Sequence, residues 1–307
     1  LAETMKELEA EIGIEIFLRS NRGISLTPEG EEFLGYARQV TEQFSLLQSR
    51  YIEKKKKEKF SVSTQHYTFA VKAFVETVKK LGMERYEYAV HETTTYDVIA
   101  KVRSFKSDIG VLYLNDFNEK VMMKTIQENG LEFKELFSCN TFVYLWAGHP
   151  LAGREAISME ELDDYPCVSF DQGKYHSLFL AEEMKSDYEY KRLIKANDRA
   201  TLLNLMVGLN AYTLCSGIIC EELNGSDYMA IPLKETERMR IGYIVRKGQK
   251  VSKSGKLYIE ELKKYQAMAM YKECRKLSGN GDVKRMPEAV RQWRCKENVG
   301  SCQSMMV

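Results

Sequence analysis

Polar side chains follow three strand-like segments, where an open α/β sheet would collect them at one edge. Ser63 and Thr64 end the first segment, Thr94 follows the second, and Asp171 follows the third. Ligands of such sheets bind beyond the carboxyl ends of the strands, near free backbone N–H groups of helix N-termini. The pattern therefore predicts a binding site for a small molecule. Helix capping alone explains each hydroxyl as well, so the prediction depends on their convergence in one cleft.

Catalytic chemistry has no recognisable residue set in this sequence. The four histidines are scattered singly, and the seven cysteines contain no CxxC pair. An enzyme needs a nucleophile with a base, paired carboxylates or metal ligands. We therefore predict no enzymatic activity, no zinc site and no cofactor. Cys139, Cys167 and Cys215 lie in or beside apolar segments, which favours small buried thiols.

The first thirty residues combine an amphipathic helix with a candidate hairpin. Apolar residues at helical spacing end at Gly13, and the segment 20–26 has a glycine where a turn is needed. The exposed helix face suits a DNA major groove, and basic or amide side chains near the hairpin suit phosphates. The residues in question are Thr4, Lys6, Arg19, Asn21 and Arg22. An ordinary amphipathic helix followed by a loop is the open alternative.

A long helix is predicted to begin at Thr27 and Pro28 and to run to about Lys57, because a hydroxyl cap followed by proline is a strong helix start. Its apolar residues recur at spacings of four and three, which is typical of a two-stranded coiled coil. They are Phe33, Ala37, Val40, Phe44, Leu47 and Tyr51. A helix packed on its own domain would show the same stripe.

Strand-like and helix-like segments alternate from Phe60 to about Tyr265. This alternation predicts an α/β fold with a parallel sheet. A second unit of the same kind begins after Phe137. The total of 307 residues exceeds one compact core and predicts two or three units.

The charge of the chain is nearly balanced, at a formal +1. Residues 1–59 contain ten lysines and arginines against eleven acidic residues, so the basic excess of a typical DNA-binding module is missing. The run Lys54–Lys57 is more typical of a solvated helix end than of a nucleic-acid contact. No apolar run approaches the roughly 20 residues that span a bilayer, and no signal peptide opens the chain. We expect a cytoplasmic protein without a membrane partner.

The order of residues near the N-terminus resembles the end of the DNA-binding domain of LysR-type transcriptional regulators. The residues that carry the resemblance are Leu8, Glu9, Gly13, Ile16, Phe17, Arg19, Arg22, Gly23, Leu26, Thr27, Pro28 and Gly30. The resemblance extends to about Lys264, with the segments in the family's order. It implies an α/β protein with a partial winged helix-turn-helix, a long linker helix and a two-subdomain, periplasmic-binding-protein-like effector domain.

The resemblance also implies domain boundaries. The expected units are a partial winged helix-turn-helix at 1–27, a linker and dimerisation helix at 28–58, an effector-binding domain at 59–267 and a disordered or non-native tail at 268–307. Within the effector-binding domain, we expect subdomain I at 59–137 and 241–267 and subdomain II at 138–240. The chain would cross between them near Phe137 and Arg240.

Function follows from the resemblance as an expectation. It implies a transcriptional regulator that binds double-stranded operator DNA, responds to a small-molecule effector and forms a homodimer or homotetramer. The family's effector pocket includes the end of the first strand, which matches Ser63 and Thr64; Thr94 and Asp171 are carried over from segment order. A small-molecule binding module without competent DNA binding is the alternative, because the helices that precede the recognition helix are missing from this sequence.

Overall fold

The computed structural model of the chain forms two compact units, residues 1–57 and residues 58–307. The residues that it describes are 2–20, 23–51, 58–82, 86–173, 177–220, 223, 225–235, 237–267 and 269. The predictions for Asn21, Arg22, the end of the linker helix at 52–57 and the tail at 268–307, apart from residue 269, lie outside these residues.

The first unit contains two helices and a hairpin. Its elements are α1 (Ala2–Ile12), β1 (Phe17–Ser20), β2 (Gly23–Leu26) and α2 (Pro28–Tyr51). The helix α1 ends at Gly13, whose φ of +72° is a conformation that favours glycine. The strands β1 and β2 pair antiparallel, from Phe17 opposite Leu26 to the turn. The 24 residues of α2 give a rod of about 36 Å.

Ile16 is the point at which α1, the hairpin and α2 are joined, and its side chain is 2% exposed. The Glu9 carboxylate accepts hydrogen bonds from the backbone N–H groups of Ile16 (2.8 Å) and Phe17 (3.0 Å). Thr27 caps α2, because its Oγ1 accepts the N–H of Gly30 at 2.8 Å. Its own N–H donates to the Ile16 carbonyl at 3.0 Å. Sequence reasoning predicted this helix start.

The second unit alternates strands and helices over its first half. The elements are β3 (Glu58–Thr64), α3 (Thr68–Leu81), β4 (Tyr86–Glu92), α4 (Thr95–Arg103), β5 (Ile109–Leu114), α5 (Glu119–Glu128) and β6 (Leu131–Asn140). The second half contains β7 (Phe142–Trp146), α6 (Met159–Leu162), β8 (Cys167–Phe170), a 3-10 turn (Leu178–Leu180), β9 (Leu193–Ala196), α7 (Arg199–Leu209), β10 (Thr213–Cys215), β11 (Tyr228–Pro232), β12 (Arg238–Arg246) and α8 (Lys253–Lys263).

The larger sheet has five strands in the order β4-β3-β5-β12-β6. The strand β3 pairs parallel with β4 and β5, as the alternation of strands and helices predicted. The strand β12 pairs antiparallel with both β5 and β6, so the five-stranded sheet is mixed. The physical reason is connectivity: β12 returns from the second half of the unit and enters the sheet from the opposite end.

The second half of the unit builds smaller sheets. The strands β10 and β11 flank β7 antiparallel, and β8 pairs parallel with β9. The chain leaves the five-stranded sheet after Asn140 and re-enters it at Arg238. The strands β6 and β12 therefore carry the chain between the five-stranded sheet and the smaller sheets.

Buried apolar and aromatic residues hold the larger sheet and its helices together. All six residues of β5 are buried, as expected for a central strand covered on both faces. The aromatic rings of Phe60, Phe74 and Tyr258 pack at centroid distances of about 6 Å, which joins β3, α3 and α8. Each such buried ring stabilises the fold by about 2 kcal/mol. Cys139 and Cys167 are buried, and Cys215 is half-buried.

The described residues include neither a membrane-spanning helix nor a cluster of metal ligands. No helix among these residues has the length and apolar character needed to cross a bilayer. Within the same ranges, no group of three or more histidine, cysteine, aspartate or glutamate side chains is arranged to hold a metal ion.

Candidate functional site

A cavity of about 70 Å³ lies between the end of β3 and the strands β7 and β10, and we call it the central cavity. Residues from both halves of the second unit line it. They are His66, Tyr67, Thr68, Tyr144, Phe170, Glu182, Glu183, Arg199, Leu202, Thr213, Leu214, Cys215, Ser216, Ile218, Ile219 and Met239. The lining is therefore largely apolar, with a small number of polar groups, as is usual for small-molecule sites.

The end of β3 is held in place by Gln65, which is 1% exposed. Its Oε1 accepts the backbone N–H of Tyr113 at 3.1 Å and the hydroxyl of Tyr67 at 3.0 Å. Its Nε2 donates to the Thr95 hydroxyl at 2.5 Å. These bonds fix the turn that carries His66 and Thr68 to the wall of the central cavity.

His66 and Glu182 form a buried pair at this wall. The Glu182 Oε2 accepts the His66 backbone N–H at 3.0 Å and lies 2.7 Å from the His66 Nδ1. The two side chains are 8% and 3% exposed. The His66 ring stacks on Phe170 with the centroids 3.7 Å apart. A histidine from the five-stranded half is thus clamped by two residues of the other half.

Gln172 extends the connection between the halves. Its Nε2 donates to the Glu182 Oε1 at 2.9 Å, and its Oε1 accepts the Thr95 backbone N–H at 3.0 Å. The amide therefore bridges a carboxylate at the central cavity and the first residue of α4. Because every group in this bridge is buried, it fixes the relative position of the two halves in this structure.

Glu183 is a second buried carboxyl group, and its residue is 7% exposed. Its Oε1 accepts the backbone N–H of Phe170 at 2.7 Å. Burial, together with the neighbouring Glu182, raises the pKa of Glu183 to about 8. The Tyr113 hydroxyl holds the same segment by donating to the Glu183 carbonyl at 3.0 Å. At neutral pH, Glu183 is therefore mostly a neutral carboxylic acid.

The remaining polar wall comes from α7, β10 and the start of α3. Arg199 forms an ion pair with Glu92 on β4, which joins the two halves again. Thr213 is 5% exposed, and its hydroxyl has no hydrogen-bond partner among the described residues. The helix α3 begins after Tyr67, whose side chain makes no capping bond. A buried unpaired hydroxyl and an uncapped helix start thus face one small space.

The four effector residues predicted from the sequence lie beside the central cavity rather than on its lining. The Ser63 Oγ lies 2.6 Å from the Ser107 Oγ, and the Thr64 Oγ1 donates to the Gln65 carbonyl at 2.8 Å. Thr94 caps α4, and Asp171 accepts the N–H of Gly173 at 3.2 Å. Their role in ligand binding stays a prediction. The first lining residue of the cavity, His66, lies two residues after Thr64.

Several lining residues are not singled out by sequence reasoning. The sequence favours a structural or exposed role for His66 and gives no signal for Glu182 or Glu183. His66 and Glu182 meet through a hydrogen bond between positions 116 residues apart. The segment that carries both glutamates has no helical or strand period, so no local signal indicates it.

The predicted DNA-contact residues lie in the first unit. Thr4 and Lys6 are exposed on α1. Arg19 belongs to β1, but its side chain lies outside the described set, as do Asn21 and Arg22 entirely. Contact of any of these residues with DNA therefore stays a prediction.

Comparison with known families agrees with the architecture of the second unit. The sequence model of the family described as LysR substrate binding domain matches residues 84–267, which is more than half of the chain. The chain belongs to the LysR family of transcriptional regulators. This confirms the family resemblance over residues 84–267 and groups the chain with regulators rather than with enzymes.

Relatives of this LysR-family chain are distant. The uncharacterised HTH-type transcriptional regulator YvbU of Bacillus subtilis (strain 168) is 24% identical over 184 residues, which span 59% of this chain and 59% of YvbU. The HTH-type transcriptional regulator TdcA of Escherichia coli (strain K12) is 19% identical over 285 residues, covering 90% of this chain and 86% of TdcA.

Two solved structures resemble the fold of this chain at low sequence identity. A full-length OxyR variant from Pseudomonas aeruginosa has a TM-score of 0.52 at 17% identity, covering 84% of this chain and 82% of that chain. The reduced form of the OxyR regulatory domain from the same organism has a TM-score of 0.50 at 13% identity, covering 67% of this chain and 98% of that chain. Both likenesses concern the fold alone, which is the predicted α/β effector-domain architecture.

Proposed function

We propose that this protein is a DNA-binding transcriptional regulator whose small-molecule effector binds in the central cavity. The observation that carries the proposal is the buried hydroxyl of Thr213, which lines this cavity without a hydrogen-bond partner among the described residues. A buried unpaired hydroxyl costs about 1–3 kcal/mol, and a ligand that pairs with it recovers this free energy. Ser63, Thr64, Thr94 and Asp171, close to the same edge, are proposed to support the site.

The mechanism that we propose depends on the bonds that join the two halves. The pair of His66 with Glu182 and the pair of Arg199 with Glu92 hold one relative position of the halves. An effector that binds this position more tightly than another shifts the population toward it. Regulation requires that this shift also changes how the first unit binds DNA. The proposal therefore requires that the effector changes operator affinity.

The test measures operator affinity of the full-length chain with and without metabolites. Fluorescence anisotropy on DNA upstream of the gene reports binding, and a thermal-shift screen finds metabolites that stabilise the protein. We expect a stabilising metabolite to change operator affinity by roughly 5- to 150-fold. A metabolite that stabilises the protein and leaves operator affinity unchanged contradicts the proposal.

A second candidate, a small-molecule binding module without competent DNA binding, is favoured by one observation. Residues 1–59 contain ten basic and eleven acidic residues, without the usual basic excess of a DNA-binding surface. Salt dependence separates the candidates, because phosphate contacts release counterions. For a DNA-binding regulator, Lys6→Ala weakens operator binding and reduces the salt slope by about 1, while the exposed control Lys250→Ala leaves both unchanged. No binding at low salt supports the second candidate.

A further inference from the structure

The lining of the central cavity contains one more carboxyl group than its ion pairs use. They are His66, Glu182, Glu183 and Arg199. Arg199 forms an ion pair with Glu92, and the His66 Nδ1 lies 2.7 Å from the Glu182 Oε2. Among the described residues, no lysine, arginine or histidine forms an ion pair with Glu183. Pairing therefore leaves one carboxyl group of the lining without a cation.

The other ionisable groups that face Glu183 add no positive charge. They are Glu182, Tyr67, Tyr113, Cys167 and Tyr190. Burial raises the pKa of each of the last four above its ordinary value, so these groups are neutral near pH 7. The backbone N–H groups of Phe170, Glu182 and Glu183 favour the ionised form of Glu183, but burial and the charge of Glu182 outweigh them. The carboxyl group therefore keeps its proton unless a cation from outside the chain pairs with it.

Two further features of the lining require a polar occupant. The Thr213 hydroxyl is buried without a partner among the described residues, and a hydroxyl both donates and accepts. The start of α3 at Thr68 has no side-chain cap from Tyr67, so its backbone N–H groups suit an oxygen of a ligand. Neither feature is explained by an apolar ligand.

We propose that the ligand of the central cavity is a small primary amine with a second polar group, and that its ammonium group pairs with the carboxylate of Glu183. The inference rests on the proposed function and specifies the effector's chemical class. Thr213 and the start of α3 bind the second polar group. A cavity of about 70 Å³ holds about five water-sized volumes, which suits a ligand of roughly four to seven non-hydrogen atoms.

Pairing of an ammonium group with Glu183 releases a proton from the protein, which can be measured. A carboxyl group with a pKa of about 8 is about 90% protonated at pH 7, and an ammonium ion bound beside it displaces that proton. Binding of an amine therefore tightens as pH rises from 6 to 8. Binding of a carboxylate ligand without an amine weakens over the same interval, because ionised Glu183 repels it.

The experiment is isothermal titration calorimetry of the full-length chain with L-alanine and ethanolamine. Their matched controls are L-lactate and ethylene glycol, in which a hydroxyl replaces the ammonium group. We expect both amines to bind and both controls to bind at least 10-fold more weakly. Titration in phosphate and in HEPES reports proton release, which we expect to exceed about half a proton per site at pH 7. Amine affinity rises roughly tenfold from pH 6 to pH 7.

Glu183→Gln keeps the shape and hydrogen-bonding capacity of the side chain and removes its charge. We expect this variant to lose proton release and the pH dependence of amine binding. The exposed control Glu155→Gln keeps both. The inference is overturned if neither amine binds, if lactate binds as tightly as alanine, or if amine affinity falls between pH 6 and 8. If one of these outcomes occurs, the proposed function still holds, provided that another metabolite stabilises the protein and changes operator affinity. The operator assay tests the proposed function separately.

Discussion

At the scale of single residues, the buried hydroxyl of Thr213 lowers the stability of the folded protein at its candidate site. Its hydroxyl is buried in the central cavity without a partner among the described residues. We expect Thr213→Val to raise the free energy of unfolding of the ligand-free protein by about 1–3 kcal/mol, because valine keeps the shape and removes the unpaired group. Urea unfolding of the full-length chain measures the change.

Thr77→Val is the matched control for this substitution. Thr77 is fully buried in α3, and its hydroxyl donates to the Ala73 carbonyl at 2.7 Å. Removing a satisfied hydroxyl lowers the free energy of unfolding by about 1 kcal/mol. The two variants therefore change stability in opposite directions. A loss of stability in both would show that the Thr213 hydroxyl is satisfied in solution.

Glu183 makes stability depend on pH. Its folded pKa of about 8 lies above the ordinary value of 4.5, so the folded protein keeps a proton that the unfolded chain has lost between these values. Its contribution to stability is full below pH 4.5 and declines by about 1.4 kcal/mol per pH unit until pH passes 8. Glu183→Gln has no such loss. We expect the stability of this variant relative to the unmodified protein to rise by about 2 kcal/mol from pH 5.5 to 7.5 in urea unfolding.

The difference between the two proteins isolates Glu183, because all other ionisable groups occur in both. The exposed Glu155→Gln variant serves as the reference for removing a carboxylate from the surface, and its curve should run parallel to that of the unmodified protein. If the Glu183→Gln curve is parallel as well, Glu183 ionises normally and the proposed pairing with an ammonium group loses its physical basis.

At the scale of elements, the packing of the hairpin against α2 depends on Gly30. A Cβ atom at this position would lie 2.2 Å from the Ile16 carbonyl oxygen, which is a backbone atom that cannot move freely. We expect Gly30→Ala to destabilise the first unit by about 1–3 kcal/mol. Hydrogen exchange of residues 2–51, followed by mass spectrometry, measures the effect on this unit.

Gly35→Ala provides the control on the same helix. No atom lies within 4 Å of a Cβ built at Gly35, and its residue is exposed on α2. Alanine is the better helix former by about 1 kcal/mol, so exchange should slow in this variant. Equal exchange rates in the two variants would mean that the hairpin does not pack closely on α2.

Strands with an uninterrupted apolar run or a clear alternation could be predicted from the sequence, and others could not. The strand β5 and the cap at Thr27 carry strong local signals, and the cap was predicted at its observed position. The strand β6 was missed, because its charged residues obscure its alternation and its register is set by β12, about 100 residues away. The direction of β12 is likewise fixed by chain topology, which local periodicity does not contain.

The candidate site was predicted less completely than the fold, for a related reason. Ser63 and Thr64 mark the correct end of the first strand, because strand ends can be read from local pattern. The glutamates at 182 and 183 lie in a segment without period, and they reach the site by long-range hydrogen bonds to His66 and Phe170. Such pairings depend on three-dimensional placement alone.

At the scale of the whole molecule, one continuous apolar core and several polar contacts join the two halves of the second unit. Arg199 pairs with Glu92, and Gln172 bridges Thr95 and Glu182. These contacts surround the central cavity, so a ligand bound there competes with them or adds to them. A small change in polar pairing can therefore select one arrangement of the halves, which is the coupling that an effector-controlled regulator requires.

Assembly of two chains is the last step that such a regulator needs, and α2 offers a surface for it. Val40, Phe44 and Leu47 follow each other at spacings of four and three, and they are 68%, 58% and 55% exposed. A coiled coil with a second copy would bury them, at about 25 cal/mol per Å² of apolar surface. We expect Phe44→Lys to convert a dimer into a monomer in analytical ultracentrifugation, because it places two like charges in the seam. Gln39→Lys, exposed on α2 outside the predicted seam, should leave the dimer intact. A dimer that survives Phe44→Lys would place the contact between chains elsewhere than α2.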